Sequence, residues 1–403
     1  MKIYFIFFCF SFTNLFFGQT AIKNDSVLAK KIKLFNTNFK EFEVVGDEIY
    51  ALTKGDSLIV FNFKKDKITK IKSGVISIVK NNRNEIIFID KQNKIIHYKN
   101  RKKEKIKIKS DPYKLILDRN NIPVLISNRG LIYNNKLFEP TNIEYNYRYY
   151  GIKSLEDRTR VFSNPDLVYL DSKNRLWLTY DRGEFGEDIL FFDLERKVFF
   201  EDEYLLIDVD YQHTKENRNR YFQDLKKAFP NKIKETVTDT LYKFPYQIPI
   251  RQPIRGIVEK DGKFFISQSL MHFSVTSNLL VLYDFDNEEF YKSTNIECEL
   301  LECDDFSFFG AIEFFGSISL NKFNNSIYYY SHKGFFKIKE AENTFDKEFV
   351  FRPWILWSAT NRNNLGYDIN VTKFEFISEN ELIFLTTNNG IGYYNGTEVK
   401  YFQ

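Results

Sequence analysis

Residues 379–402 read ENELIFLTTNNGIGYYNGTEVKYF, and the fold is decided by how this stretch is parsed. The polar pair Glu379 and Asn380 precedes a run from Glu381 to Thr387 that is apolar at Leu382, Ile383, Phe384 and Leu385. That run is short, β-branched or aromatic in part, and bounded by Asn and Gly, which is the pattern of a strand with two buried faces. Asn388, Asn389 and Gly390 supply a turn, Ile391 to Tyr394 another strand, Asn395 and Gly396 a second turn, and Val399 to Phe402 a last strand.

The same order recurs upstream. A strand ends in a polar or glycine pair (Gly46 and Asp47, Asn84 and Glu85, Asn120 and Asn121, Asn174 and Arg175, Asp261 and Gly262, Asn324 and Asn325), and a second strand follows at once. Those second strands are Glu48 to Leu52, Ile86 to Ile89, Ile122 to Ile126, Leu176 to Tyr180, Lys263 to Ser267 and Ser326 to Ser331. Units of this kind start near residues 39, 75, 110, 165, 252, 306 and 370. A four-stranded unit at this period is the signature of a β-propeller, because one such sheet cannot bury both of its faces unless neighbours cover them. The expectation is therefore an all-β propeller of four-stranded antiparallel blades over 39–403. Seven blades are read, and six or eight stay open because Phe306 to Lys322 runs long.

Two stretches carry a more specific likeness. DSKNRLWLT at 171–179 resembles the D-x-x-G-x-L-W-x-G-T core of the two-component-regulator propeller repeat, and 379–402 resembles the same repeat with its continuation. Asn174 stands where that repeat has Gly, and Phe384 where it has Trp. The resemblance implies a propeller exported from the cytoplasm. The sensory role such propellers often serve does not carry over, because the sequence shows no kinase segment and no later spanning segment.

The chain's first residues read differently from the rest. Met1 and Lys2 precede an apolar run, Ile3 to Phe17, that ends at Gly18. Such a run is short for a spanning helix and fits a secretory signal at 1–18, followed by a lead-in at 19–38. No later stretch is long and apolar enough to span a membrane as a helix. Of the three cysteines, Cys298 and Cys303 lie after the signal, and export makes them candidates for a disulfide closing a small loop.

Aromatic residues reach 18%, with 43 Phe and 25 Tyr, and most are expected in the wedges between blades. The formal charge of +4 hides an asymmetry, since residues 19–110 hold 22 Lys or Arg against 10 acids. The basic part peaks at Arg101, Lys102, Lys103, Lys105, Lys107 and Lys109, alternating with Ile106 and Ile108. We read this as an exposed outer strand guarded by Lys rather than as a nucleic-acid surface.

From the third unit onward, connections lengthen on the face where second-to-third strand loops and blade-to-blade links emerge. Assigned to that face are 139–164, 181–188, 205–253, 268–278, 295–305 and 352–371. Within 205–253, Thr214 reads as an N-cap and 215–229 as a small helix ended by Pro230. Ligand-binding candidates around the axis are Arg148, Asp181, Arg182, His272, His332, Trp354 and Arg362. Flat rings beside Arg forks suit sugars or peptide carboxylates. No nucleophile elbow, zinc-protease or phosphate-loop motif is present, and no cofactor or metal is assigned.

The reading is an exported binding protein, monomeric, for a glycan or another exported protein. An enzyme on the same face (a polysaccharide lyase or hydrolase) and a structural partner in an envelope complex are the alternatives. The mature N-terminus is expected close to residue 19, and intact-mass spectrometry of exported protein that still carries Met1 would refute it.

Overall fold

The computed structural model describes residues 26–27, 29–32, 38–99, 102–140, 150–152, 160–183, 187–200, 253–271, 275–283, 298–302, 314–331, 333–340, 345–353, 371–387 and 389–402. Among them, seven sheets of four or five strands follow one another: I (39–73), II (75–105), III (112–138), IV (167–200), V (254–302), VI (315–353) and VII (371–402). In each, the four consecutive strands run first to fourth in chain order and pair antiparallel. First strands pack on one another from sheet I to sheet III and from sheet IV to sheet VII, and the first strand of sheet I packs on the second strand of sheet VII. The architecture is an all-β propeller with four-stranded antiparallel blades.

The turns recognised in the sequence form because their residues tolerate a left-handed backbone. Gly46, Asn84, Asn121, Asn174, Asp261 and Asn325 all have φ between 51° and 61°. Asn174 therefore does locally what Gly does in the resembling repeat. The residue opening such a turn often caps it. Asp171 Oδ1 accepts from the N–H groups of Lys173 and Arg175, Asp118 Oδ1 from Asn120 and Ile122, and Asn81 Oδ1 from Arg83 and Glu85.

Asp171 has a second task. Its Oδ2 accepts from Arg175 Nε at 2.7 Å and from Trp177 Nε1 at 3.0 Å, all three side chains being buried. Trp177 then packs on Phe191 within its sheet and on Phe264 of sheet V, with ring centroids 4.8 and 5.1 Å apart. One motif thus fixes a turn, a strand and the seam between sheets IV and V.

Apolar clusters fill the other seams. Phe42 and Phe61 of sheet I meet Ile383 and Phe402 of sheet VII, Leu58 meets Phe88 of sheet II, and Ile89 meets Leu115 of sheet III. Ile126 of sheet III joins Leu176, Phe265 of sheet V joins Tyr329, and Phe335 of sheet VI joins Phe374. The join of sheets I and VII also carries charge. Lys373 Nζ lies 3.0 Å from Glu43 and Lys80 Nζ 2.6 Å from Glu375, so ion pairs link sheets VII, I and II. Burial acts to lower the Lys373 pKa, but Glu43 and Glu375 outweigh it and hold it above the ordinary value.

The region read as a lead-in contains two short strands. Ala29–Ile32 runs parallel to Val399–Phe402 on the outer edge of sheet VII, and Ser26–Val27 runs parallel to Arg352 and Pro353 in sheet VI.

Two sequence expectations change. Strands Lys263–Met271 and Val275–Tyr283 pair along their whole length, so the insertion assigned to 268–278 shrinks to 272–274. Cys298–Glu302 is the fourth strand of sheet V rather than part of a loop. Cys303 lies outside the described residues, so the Cys298–Cys303 bridge stays an expectation. The helix expected at 215–229 also lies outside them, as does the signal segment 1–18.

Replacing Asp171 by Ala should lower unfolding free energy by about 3–5 kcal/mol in urea titrations, because buried Arg175 and Trp177 both lose their bond to its carboxylate and the turn loses its cap. Glu348→Ala, which breaks the exposed Lys339–Glu348 pair, should cost less than about 1 kcal/mol. Equal losses would refute this account of the turn.

Candidate functional site

Antiparallel order sends first-to-second and third-to-fourth connections to one end of the sheets, and the remaining connections to the other. The first end is closed by turns that also bond across seams. Asn121 Oδ1 accepts from Asn82 N at 3.0 Å, Asn174 Oδ1 from Arg119 N at 3.3 Å, and Glu259 Oε2 from Ser172 N at 2.7 Å. Most long connections leave at the other end, between 138 and 167, 200 and 254, 302 and 315, and 353 and 371. The exception is 284–297, which joins the third and fourth strands of sheet V at the closed end.

First strands enter the sheets at the open end, and six of the seven begin with a register shift in their pairing. It falls between Phe39 and Glu41, Val75 and Ser77, Pro112 and Lys114, Ile254 and Gly256, Phe315 and Ile318, and Val371 and Lys373. A bulge there re-aims one side chain per sheet. In sheet V that residue is Arg255. The next residue, Gly256, allows close approach to sheet VI, since a Cβ on it would stand 2.8 Å from Ile318 N.

Arg255 organises the described part of this end. Its Nη1 donates to Asp181 Oδ2 at 2.8 Å, its Nε and Nη2 donate to Ser269 O, and its guanidinium lies over the Phe314 ring. Asp181 ends the second strand of sheet IV, and its own N–H donates to Asp166 Oδ2 at 2.8 Å. Arg182 Nε donates to Asp188 Oδ2 at 2.8 Å.

Between these pairs sits Glu187, directly across the ladder from Asp181. Glu187 Oε2 accepts from Ile254 N at 3.1 Å, while Oε1 has no hydrogen-bond partner. Burial pushes its pKa up to about 8, and Asp181 adds to this against Thr179, the Ile254 N–H and Arg255. Beside Ile254 in the ladder stands Gln268, buried with Nε2 unpartnered. Sheets IV and V thus offer paired charges at the rim and unsatisfied polar atoms beneath them.

Two of the expected binding residues, Asp181 and Arg182, are here on adjacent positions. Arg148, His272, His332, Trp354 and Arg362 lie outside the described residues. Arg255 and Gln268 were not singled out from the sequence. For Arg255 the signal was available, as a cation immediately before Gly256 at the start of a first strand. Among the described residues, no three His, Cys, Asp or Glu side chains converge as metal ligands, and no helix is long and apolar enough to cross a membrane.

No family model matches this chain, and no curated protein matches it. Among solved structures, the extracellular domain of the hybrid two-component system BT4673 from B. thetaiotaomicron aligns at 10% identity and TM-score 0.42. It covers 92% of this chain, which spans only 39% of that longer one. The β-propeller domain of Cps50 (Swd1) from Myceliophteria thermophila aligns at 6% identity and TM-score 0.47, covering 92% and 98% of the two chains. The WD40 repeats of RRP9 align at 10% identity and TM-score 0.44, covering 88% and 89%.

Glu187 makes stability depend on pH. A carboxyl held at about 8 when folded and near 4.5 when unfolded keeps its proton longer in the native state. Its stabilising contribution is full below pH 4.5 and is lost as pH rises towards 8. Replacement by the neutral isostere Gln should therefore flatten the fall in stability across that window. By pH 8.5 the variant should exceed wild type by on the order of 4–5 kcal/mol. Thermal melts at stepped pH that show parallel wild-type and variant curves would rule out a buried, protonated Glu187.

Proposed function

We propose that the seven sheets are the blades of one closed ring, built from repeats of the two-component-regulator type, and that the protein is exported. Its open end is a binding surface for a glycan or for another exported protein. The observation that carries this reading is the contrast between the two ends. Capped turns and cross-seam hydrogen bonds close one, while the other gathers most long connections around the rim formed by Asp181, Arg182, Asp188 and Arg255. Side chains rooted on strand ends need little ordering on binding, which favours recognition there.

A second reading rests on Glu187. A protonated carboxyl beside Asp181 is the pattern of a general acid near an anionic partner, as glycan-cleaving enzymes use. On this reading Glu187→Gln would abolish turnover of an oligosaccharide while leaving its binding intact.

The binding reading is tested with immobilised arrays of neutral and acidic oligosaccharides and of peptides from exported proteins, followed by calorimetry on any hit. Arg255→Ala and Arg182→Ala should each weaken an acidic ligand by about 1.5–3 kcal/mol, the range for a charged hydrogen bond. Lys339→Ala, on a strand away from the rim, should leave affinity unchanged. Hits that ignore both Arg positions would place recognition elsewhere.

A further inference from the structure

A surface separate from the open end lies on the outer wall, where sheet II faces sheet III. The fourth strand of sheet II, Lys103–Lys105, is an edge strand: it pairs only with Lys94–His97 among the described residues. Alternation divides its side chains between two faces. Glu104 stands opposite Ile95 and lines a partly open cavity of about 170 Å³ floored by Ile95, Ile106, Leu125 and Ile132. Asn134 and Asn135 form the opposite rim of that cavity. Lys103 and Lys105 stand opposite Ile96 and Lys94, on the face turned towards sheet I. There Lys70 and Lys72 of sheet I already lie over the rings of Tyr98 and Phe88.

Lys103, Lys105, Lys107 and Lys109 are exposed, and among the described residues no carboxylate lies within ion-pair distance of any of them. Guarding an edge with Lys explains those charges. It does not explain a cavity of mixed lining, with Ile95, Ile106, Leu125 and Ile132 among its walls, directly beside the guarded edge. A space near 150 Å³ accommodates one aromatic ring, so this cavity has room for a single large apolar side chain.

We propose that this edge and cavity form a docking site for an extended acidic segment of a partner protein. The segment adds as a fifth strand to Lys103–Lys105. Period-two alternation then places its acidic side chains opposite Lys103 and Lys105 on one face. The apolar residue between them falls opposite Glu104, over the cavity, on the other. A second copy of this chain pairing through the same edge would set Lys against Lys, so charge selects an acidic partner. The site does not depend on the binding function proposed for the open end.

The probe is a synthetic nine-residue peptide alternating Glu with Leu and carrying one central Phe, titrated into the full chain labelled at Ile and Leu methyl groups. Three controls accompany it: a scramble of equal composition, a Phe-to-Ala peptide, and a single-stranded oligonucleotide of equal charge. Binding should shift the methyl resonances of Ile95, Leu125 and Ile132, and the scramble and the Ala peptide should each bind at least about tenfold more weakly. Lys103→Glu with Lys105→Glu, both exposed and checked for folding by circular dichroism, should weaken the probe by about tenfold or more. Arg255→Ala should leave it unchanged. The proposal is overturned if peptide, scramble and oligonucleotide bind alike with no shift at the cavity methyls, which is a general polyanion surface. It is equally overturned if the probe does not bind at about 1 mM, the weak end of useful affinity.

Discussion

Each sheet has two faces to bury and cannot bury them alone. The second strand of sheet VII, Leu382–Thr386, is buried at every residue, and in sheet II the second strand is buried from Ile86 to Ile89. A single twisted sheet in water would expose one of those faces, at about 25 cal/mol for each Å² of apolar surface. Stacking around an axis removes the exposure, since each neighbour covers one face. The wedge-shaped seams that result call for large flat side chains. The seam between sheets VI and VII shows this most clearly, where Phe335, Phe351, Phe374 and Phe384 pack together and the Phe351 and Tyr394 rings stack at 3.7 Å. The high aromatic content therefore belongs to the core before it belongs to any ligand.

The same constraint governs closure. Sheets I and VII exchange no strand; each contains its own four consecutive strands. Their join rests on side chains, with Phe61 against Phe402 and Phe63 against Tyr393, and on the Lys373, Glu43, Lys80 and Glu375 pairs beside the apolar seam. The two short N-terminal strands act from outside. They attach to sheets VI and VII, whose outer strands carry Phe349, Val350, Tyr401 and Phe402, and not to the outer strand of sheet I with Lys67, Lys70 and Lys72. Lysine on an edge discourages added strands, and the edges that accept them are the more apolar ones.

How much of this was legible follows from the range of the interaction involved. Turns are local, so the polar and Gly pairs could be read directly, and six of the seven contain a residue with positive φ. The strands after them are short apolar runs with few alternative parses. Longer-range features were harder. Nothing in CELLE at 298–302 reads as a strand, because Glu299 and Glu302 interrupt the apolar run, and its place is set by pairing with Asn278–Leu282. Asp181 and Arg182 could be picked from the polar end of a strand. Their partner Arg255 lies 74 positions away from Asp181 in sequence, and only the stacking of sheet V on sheet IV brings it near.

Packed seams also keep the two proposed surfaces apart. At the open end, the charges of sheets IV and V are largely paired with one another, so a ligand there must compete with or extend an existing network. Its specificity would come from geometry, because Arg255 is already oriented by Asp181 and by the Ser269 carbonyl. On the wall of sheet II, Lys103, Lys105, Lys107 and Lys109 are exposed and have no ion pair among the described residues, and there charge acts mainly on encounter rate and salt dependence. The imbalance along the sequence, basic before residue 110 and acidic after it, thus becomes a difference between two surfaces. Since the wedges between them are filled by packed aromatic and branched side chains, occupancy of one surface has no evident route to deform the other. Coupling between them would require a sheet to rotate against its neighbour. The hydrogen bonds from Asn121, Asn174 and Glu259 across the closed end oppose that motion in sheets II to V.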